Sequence, residues 1–225
     1  MKTLPLIFAV ISVLMPVAAQ KTGLSEKYGF KMKMLCAFMY LATGVISAAL
    51  LFRVTPYSLM MLGALVLGVL GDFFLSYRGD RYFPAGMAFF AAGHIAYIIT
   101  LLCTDRENVT SNAAAVSVVA VILYLVLLLI IRKLKFKKYR ELMLIYAAVL
   151  VLFFACTLVM GGVCAYGGNL SLCLCIIFGG ALFFASDLML GLGKGGIKRP
   201  DFLHNAVSYT YFAAQTLFAL SIYFQ

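Results

Sequence analysis

The chain has 225 residues, of which 64% are hydrophobic and 12% charged, with a formal net charge of +10 and a mean hydropathy of +1.05. A soluble domain of this length cannot bury so much apolar surface, so the composition excludes a water-soluble globular protein and points to a polytopic membrane protein. The positive charge has a plain origin in basic loops facing anionic headgroups, and nucleic-acid binding is not needed to explain it.

A window of about 19 residues resolves eight apolar spans joined by short connections. The expected fold is an all-α bundle of about eight transmembrane helices forming a single domain over residues 1–225. The first span, Leu4 to Ala19, follows Lys2 and ends in Val17-Ala18-Ala19 before Gln20, a pattern shared with cleavable secretory signals. Cleavage there would leave Lys21, Lys27, Lys31 and Lys33 at a translocated N-terminus, so the span is kept. The second, Met32 to Phe52, opens just after Lys31. The third, Tyr57 to Tyr77, carries Asp72 five residues before its end, roughly 8 Å from the boundary at 1.5 Å per residue. The fourth, Tyr82 to Cys103, has His94 near its middle, with Tyr97 on the same face at i+3.

Spans five and six, Ala113 to Ile131 and Leu142 to Gly161, flank the basic run Arg132 to Arg140, which reads as a solvated loop or a headgroup contact. The seventh, Leu170 to Leu190, holds Asp187 close to its inner end. The eighth, Leu203 to Phe224, bears a polar stripe of His204, Ser208, Tyr211 and Gln215, with Asn205, Tyr209 and Thr216 beside it. An arc that wide is expected to face the bundle interior. Asp80, Asp201 and His204 at the rim read as solvated loop residues.

Charge placement sets the orientation. The loops after spans 1, 3, 5 and 7 hold 15 of the 18 basic residues, which places them in the cytoplasm and both termini outside. A multi-pass protein of the cell membrane is expected, with Asp72, Asp187, Lys31 and Asn205 all at the cytoplasmic leaflet and His94 forming the floor of a cavity.

An acid inside hydrocarbon costs several kcal/mol, so Asp72 and Asp187 read first as functional groups lining an enclosed cavity. The structural alternative is that each merely pairs with Lys31, or with Tyr and Asn groups, and holds helices together. Asp72 precedes His94 by 22 residues and Asp187 precedes Tyr209 by 22, a spacing compatible with a four-plus-four parallel repeat. No metal or cofactor is expected. Cys173 and Cys175 point about 200° apart on a helix, and with two histidines in the chain a three-histidine zinc site cannot be built.

At these positions the chain resembles the lysoplasmalogenase (YhhN-like) family of membrane proteins. The motifs are Phe30-Lys31, Leu70-Gly71-Asp72, Phe89 to His94 followed by Tyr97, Ser186-Asp187, and Asn205 with Tyr211-Phe212-Ala213-Ala214-Gln215. One departure is Met32, where the family often has Pro; it touches helix entry rather than chemistry. Some members lack the second Asp, so its presence here favours an active enzyme. The resemblance implies hydrolysis of the vinyl ether of a lysoplasmalogen, giving a fatty aldehyde and glycerophosphocholine or glycerophosphoethanolamine. One Asp would donate a proton and the other stay ionised, as the two carboxyl groups of glycosidases do. Lys31 would keep the ionised Asp charged or hold the phosphate, while Asn205, Tyr209, Tyr211 and Gln215 would place water and glycerol. The partners expected are thus the lysophospholipid substrate and membrane lipids. The competing class is a proton-coupled transporter or lipid-binding protein using the same acids, and a purely structural scaffold is a third.

Overall fold

The structure, a computed structural model, describes residues 3–51, 54–77, 81–131, 139–194, 196 and 201–225, with the side chains of these except at 25, 26, 106, 130, 131, 201, 202 and 204. Among them are eight α-helices: α1 (Leu4–Lys21), α2 (Leu24–Leu50), α3 (Pro56–Leu75), α4 (Tyr82–Leu102), α5 (Val109–Ile131), α6 (Arg140–Tyr166), α7 (Leu170–Lys194) and α8 (Asp201–Phe224). A single 3₁₀ turn, Arg106–Asn108, precedes α5. Each expected span falls on one helix, so the chain is a polytopic helical membrane bundle.

Two spans run longer than their apolar core. Helix α2 starts eight residues before Met32, because an extra segment from Leu24 joins the span across a non-helical backbone at Gly29. Helix α6 adds Arg140 and Glu141 at one end and reaches Tyr166 at the other. Among the described residues, seven helices are long and apolar enough to cross a membrane on composition alone, and α8 falls short because of its polar stripe. The deeper part of that stripe is internal, with Tyr211, Gln215 and Thr216 buried, while Asn205, Ser208 and Tyr209 nearer the helix start are half-buried.

Local chemistry fixes the helix ends. Thr55 and Ser58 form a reciprocal capping box, each hydroxyl accepting from the other's backbone N–H at 3.1 and 3.0 Å, with Pro56 at the first helical position. Asn169 accepts from Leu172 N–H with its Oδ1 and donates through Nδ2 to the Phe224 carbonyl, tying the start of α7 to the end of α8. Positive φ at Gly23 and Gly168 turns the chain between α1 and α2 and between α6 and α7.

Six helices close a ring in the order α2, α3, α4, α6, α7, α8 and back to α2, and the outer pair α1 and α5 packs against it. On α5 the large residues Val118, Ile122, Leu125, Val126 and Leu129 are exposed, as lipid-facing side chains are. Helix α1 lies on α2 and α8, where Ser12 and Thr216 share a buried hydroxyl hydrogen bond of 2.9 Å.

The packing has an internal order. Helix α2 touches α1, α3 and α8, while α6 touches α5, α7 and α4; α4 touches α3, α5 and α6, while α8 touches α7, α1 and α2. Adding four to each helix number, cyclically, converts one set into the other. A further α3–α8 contact is matched by the rings of His94 on α4 and Phe183 on α7, 4.7 Å apart. The neighbour pattern is compatible with a four-plus-four parallel repeat, although α1 packs far more closely on α8 than α5 does on α4.

Candidate active site

Asp72 and Asp187 line one cavity of about 370 Å³ at the end of the ring where α3 and α7 finish. Its wall combines Phe83, Met87, Phe90, Met143 and Leu190 with the polar groups Lys33, Tyr146, Ser186, Ser208, Tyr211 and Lys194. An apolar lining with a few convergent polar groups is the form of a small-molecule site.

Asp72 is 2% exposed and fully engaged. Lys33 Nζ lies 3.1 Å from its Oδ1, and the Tyr211 hydroxyl donates to its Oδ2 at 2.7 Å. The network continues inward, Gln215 Nε2 donating to the Tyr211 oxygen at 3.1 Å and Tyr97 donating to Gln215 Oε1 at 2.6 Å. Tyr40 joins at 3.5 Å from the Tyr211 hydroxyl. A carboxylate sealed in a bundle needs such pairing, because an unmatched buried charge is among the costliest features a fold can carry.

Asp187 has a different shell. The Tyr146 hydroxyl donates to its Oδ2, and His94 Nε2 stands 3.8 Å from the same oxygen, beyond hydrogen-bond range. No lysine or arginine pairs with it among the described residues. His94 itself is 1% exposed, its ring nitrogens have no hydrogen-bond partner among the described residues, and the rings of Tyr146, Phe153 and Phe183 enclose it.

The two shells obey the repeat. Asp72 on α3 takes its partners from α2 and α8, and Asp187 on α7 takes its own from α6 and α4. The positions match, whereas the chemistry differs: lysine and tyrosine around one acid, tyrosine and histidine around the other.

Several expected residues fall elsewhere. Lys31 is exposed and does not line the cavity; Lys33, two residues on and thus about 200° round the helix, faces Asp72 in its place. His94 is not part of the cavity floor, because the aromatic rings around it hold it behind Asp187. Asn205 and Tyr209 are half-buried on other faces of α8 and do not line the cavity. Tyr97 and Gln215 lie beneath it and act through Tyr211. Asp80, the side chains of Asp201 and His204, and residues 132–138 of the basic run lie outside the described residues.

Besides Lys33, the site gains Tyr146, which was not among the residues expected there. A signal existed: it lies six residues inside the start of α6, and Asp187 lies seven before the end of the antiparallel α7, so the two share a depth.

Glycines make the inner network possible. A Cβ on Gly68 would collide with Gln215 Nε2 and approach the Tyr40 hydroxyl to 3.1 Å, and one on Gly71 would press into the Phe90 ring at 2.8 Å. Small residues at these points let α3 approach α8 and α4 closely.

With two carboxyl groups facing one cavity, the protein is a helical membrane bundle built around an enclosed acidic pocket. The chain matches the YhhN family over residues 26–222 and belongs to it. No curated protein and no solved structure matches it.

Proposed function

We propose that the protein hydrolyses the vinyl ether of a lysoplasmalogen, with Asp187 as proton donor and Asp72 as base. The reading is carried by one observation: both acids line the same cavity, and the described cation contact is made to Asp72 alone. Lys33 at 3.1 Å matches a carboxylate on Asp72, whereas no lysine or arginine among the described residues is there to balance a charge on Asp187, which favours Asp187 as the group that brings the proton.

A vinyl ether resists base and yields to acid. The Asp187 proton adds to the β-carbon of the double bond, leaving an oxocarbenium ion at the carbon next to oxygen. The Asp72 carboxylate stabilises that cation and takes a proton from water as the water oxygen bonds to the same carbon. The hemiacetal then collapses: its carbon–oxygen bond to glycerol breaks, its hydroxyl proton passes to the glycerol oxygen, and fatty aldehyde leaves. The proton on Asp72 returns to Asp187, so one water is consumed and both acids are restored. Tyr211 holds Asp72 in position through the Gln215 and Tyr97 chain, and Tyr146 orients Asp187. The cavity lies at the end of the bundle where the basic connections gather, which supports a site facing the cytoplasmic leaflet of the cell membrane.

The four-plus-four neighbour pattern favours a second reading, a proton-coupled transporter, since such repeats underlie many of those folds. Helices α3, α4, α7 and α8 are unbroken at mid-span, unlike the discontinuous helices that commonly form transport sites. Release of aldehyde from an alkenyl lysolipid by detergent-solubilised protein separates the two, because a hydrolase needs no sealed compartment. Absence of aldehyde from folded protein contradicts the hydrolase.

A further inference from the structure

We infer that Lys194 is the headgroup subsite of this cavity and takes the phosphodiester of a lysophospholipid. The inference rests on the hydrolase reading above and adds what that reading leaves open, how a phospholipid is told from an uncharged glycerol ether. Asp187, Leu190, Gly191 and Lys194 all line the cavity and follow one another at i, i+3, i+4 and i+7, so one face of α7 forms a continuous wall from the acid to the end of the helix. Seven residues span about 10.5 Å along the axis. In a 1-alkenyl glycerophospholipid, phosphorus and the β-carbon of the vinyl ether are roughly 9 Å apart in the extended form at ordinary bond lengths. A lipid with its double bond at Asp187 therefore brings its phosphate within reach of the Lys194 side chain.

Charge selects the same residue. Among the described residues, two lysines line the cavity. Lys33 is committed to Asp72 through its 3.1 Å contact. Lys194 has no carboxylate partner among the described residues; it is exposed, and its Nζ sits 4.7 Å from the centre of the Phe83 ring, which also lines the cavity. An aromatic face steadies an ammonium without neutralising it, leaving the charge for an anion. The Asp72 carboxylate deeper in the cavity disfavours a second anion there, which keeps the headgroup at the Lys194 end while the uncharged ether enters.

The test compares kcat/KM of the purified full-length protein for 1-alkenyl-glycerophosphocholine and for 1-alkenylglycerol, which lacks the phosphate. Wild type is expected to favour the phospholipid by about tenfold, the scale of a hydrogen bond to a charged group in a half-open site. Lys194→Gln brings the ratio close to one, and Lys194→Arg keeps it. An unchanged ratio in Lys194→Gln overturns the subsite and leaves the hydrolase standing, whereas a wild type that releases aldehyde from neither substrate sinks the hydrolase and the subsite with it. Glycerophosphocholine and inorganic phosphate serve as competitors. Stronger competition by glycerophosphocholine, lost in Lys194→Gln, supports recognition of a lipid headgroup; equal competition by inorganic phosphate makes this a free-anion site and overturns the assignment.

Discussion

At the residue scale the account turns on the ion pair between Lys33 and Asp72. Lys33 is 33% exposed and Asp72 2%, so removing the lysine strands a buried carboxylate, while removing both charges does not. Lys33→Met is expected to lower stability by about 1–3 kcal/mol, below the range for a fully buried pair because the lysine is partly solvated. Thermal unfolding in detergent reads this out, and adding Asp72→Asn to Lys33→Met should recover most of the lost Tm. Equal Tm values for the lysine variant and wild type would mean that the pair is not an anchor of the site. The sequence exposed the acids because a charge in an apolar span is conspicuous, but it pointed to Lys31 where the structure puts Lys33. Both sit at the edge of the span, and only the rotation of α2, set by its packing on α3 and α8, decides which one turns inward. Tyr146 escaped notice for the opposite reason: a tyrosine near a span end looks like an interfacial residue, and its bond to Asp187 joins positions 41 apart in sequence.

Elements show how closely the helices must approach for the inner network to form. Gly68 stands where α3 meets Gln215 and Tyr40, and Gly63, one turn and a half earlier on the same helix, has open space around it. Gly68→Ala should therefore push α3 from α8, stretch the chain from Tyr97 to Asp72 and lower turnover at least several-fold, with an overpacking cost of about 1–3 kcal/mol. Gly63→Ala meets no neighbour and should leave turnover and Tm near wild type. A matched loss in both variants would show a general effect on the helix rather than a local clash. Helix positions were readable from hydropathy to within a few residues, as with Leu4–Lys21 against Leu4 to Ala19 and Tyr82–Leu102 against Tyr82 to Cys103. The early start of α2 was not, because Leu24 to Lys31 is polar enough to pass for a loop until its packing is known.

For the whole molecule, eight crossings would place both termini on one side, and the positive-inside rule applied to the basic connections predicts that this side is the exterior. Cys103 tests this without any mutation. It is exposed at the end of α4, on the side opposite the cavity, and the other cysteines are buried or half-buried within helices. A membrane-impermeant maleimide should label Cys103 in intact cells; labelling that needs permeabilised cells would invert the orientation and put the cavity outside. The neighbour pattern of the helices is compatible with the repeat that the two 22-residue spacings suggest, but the residues that suggest it do not take equivalent places. Tyr209 stays away from the site, and Tyr211, two positions on, occupies the place beside Asp72 that His94 holds beside Asp187. Spacing in sequence locates a repeat only to within the half-turn that separates one helix face from another.

The most direct test of the central claim is aldehyde release from 1-alkenyl-glycerophosphocholine by purified wild type, Asp72→Asn and Asp187→Asn proteins of matched thermal stability. Wild type should turn the lipid over and each variant should fall by at least about a hundredfold, the least expected for loss of a positioned acid or base. Near-normal turnover by both variants would contradict a chemistry run by two carboxyl groups in one cavity.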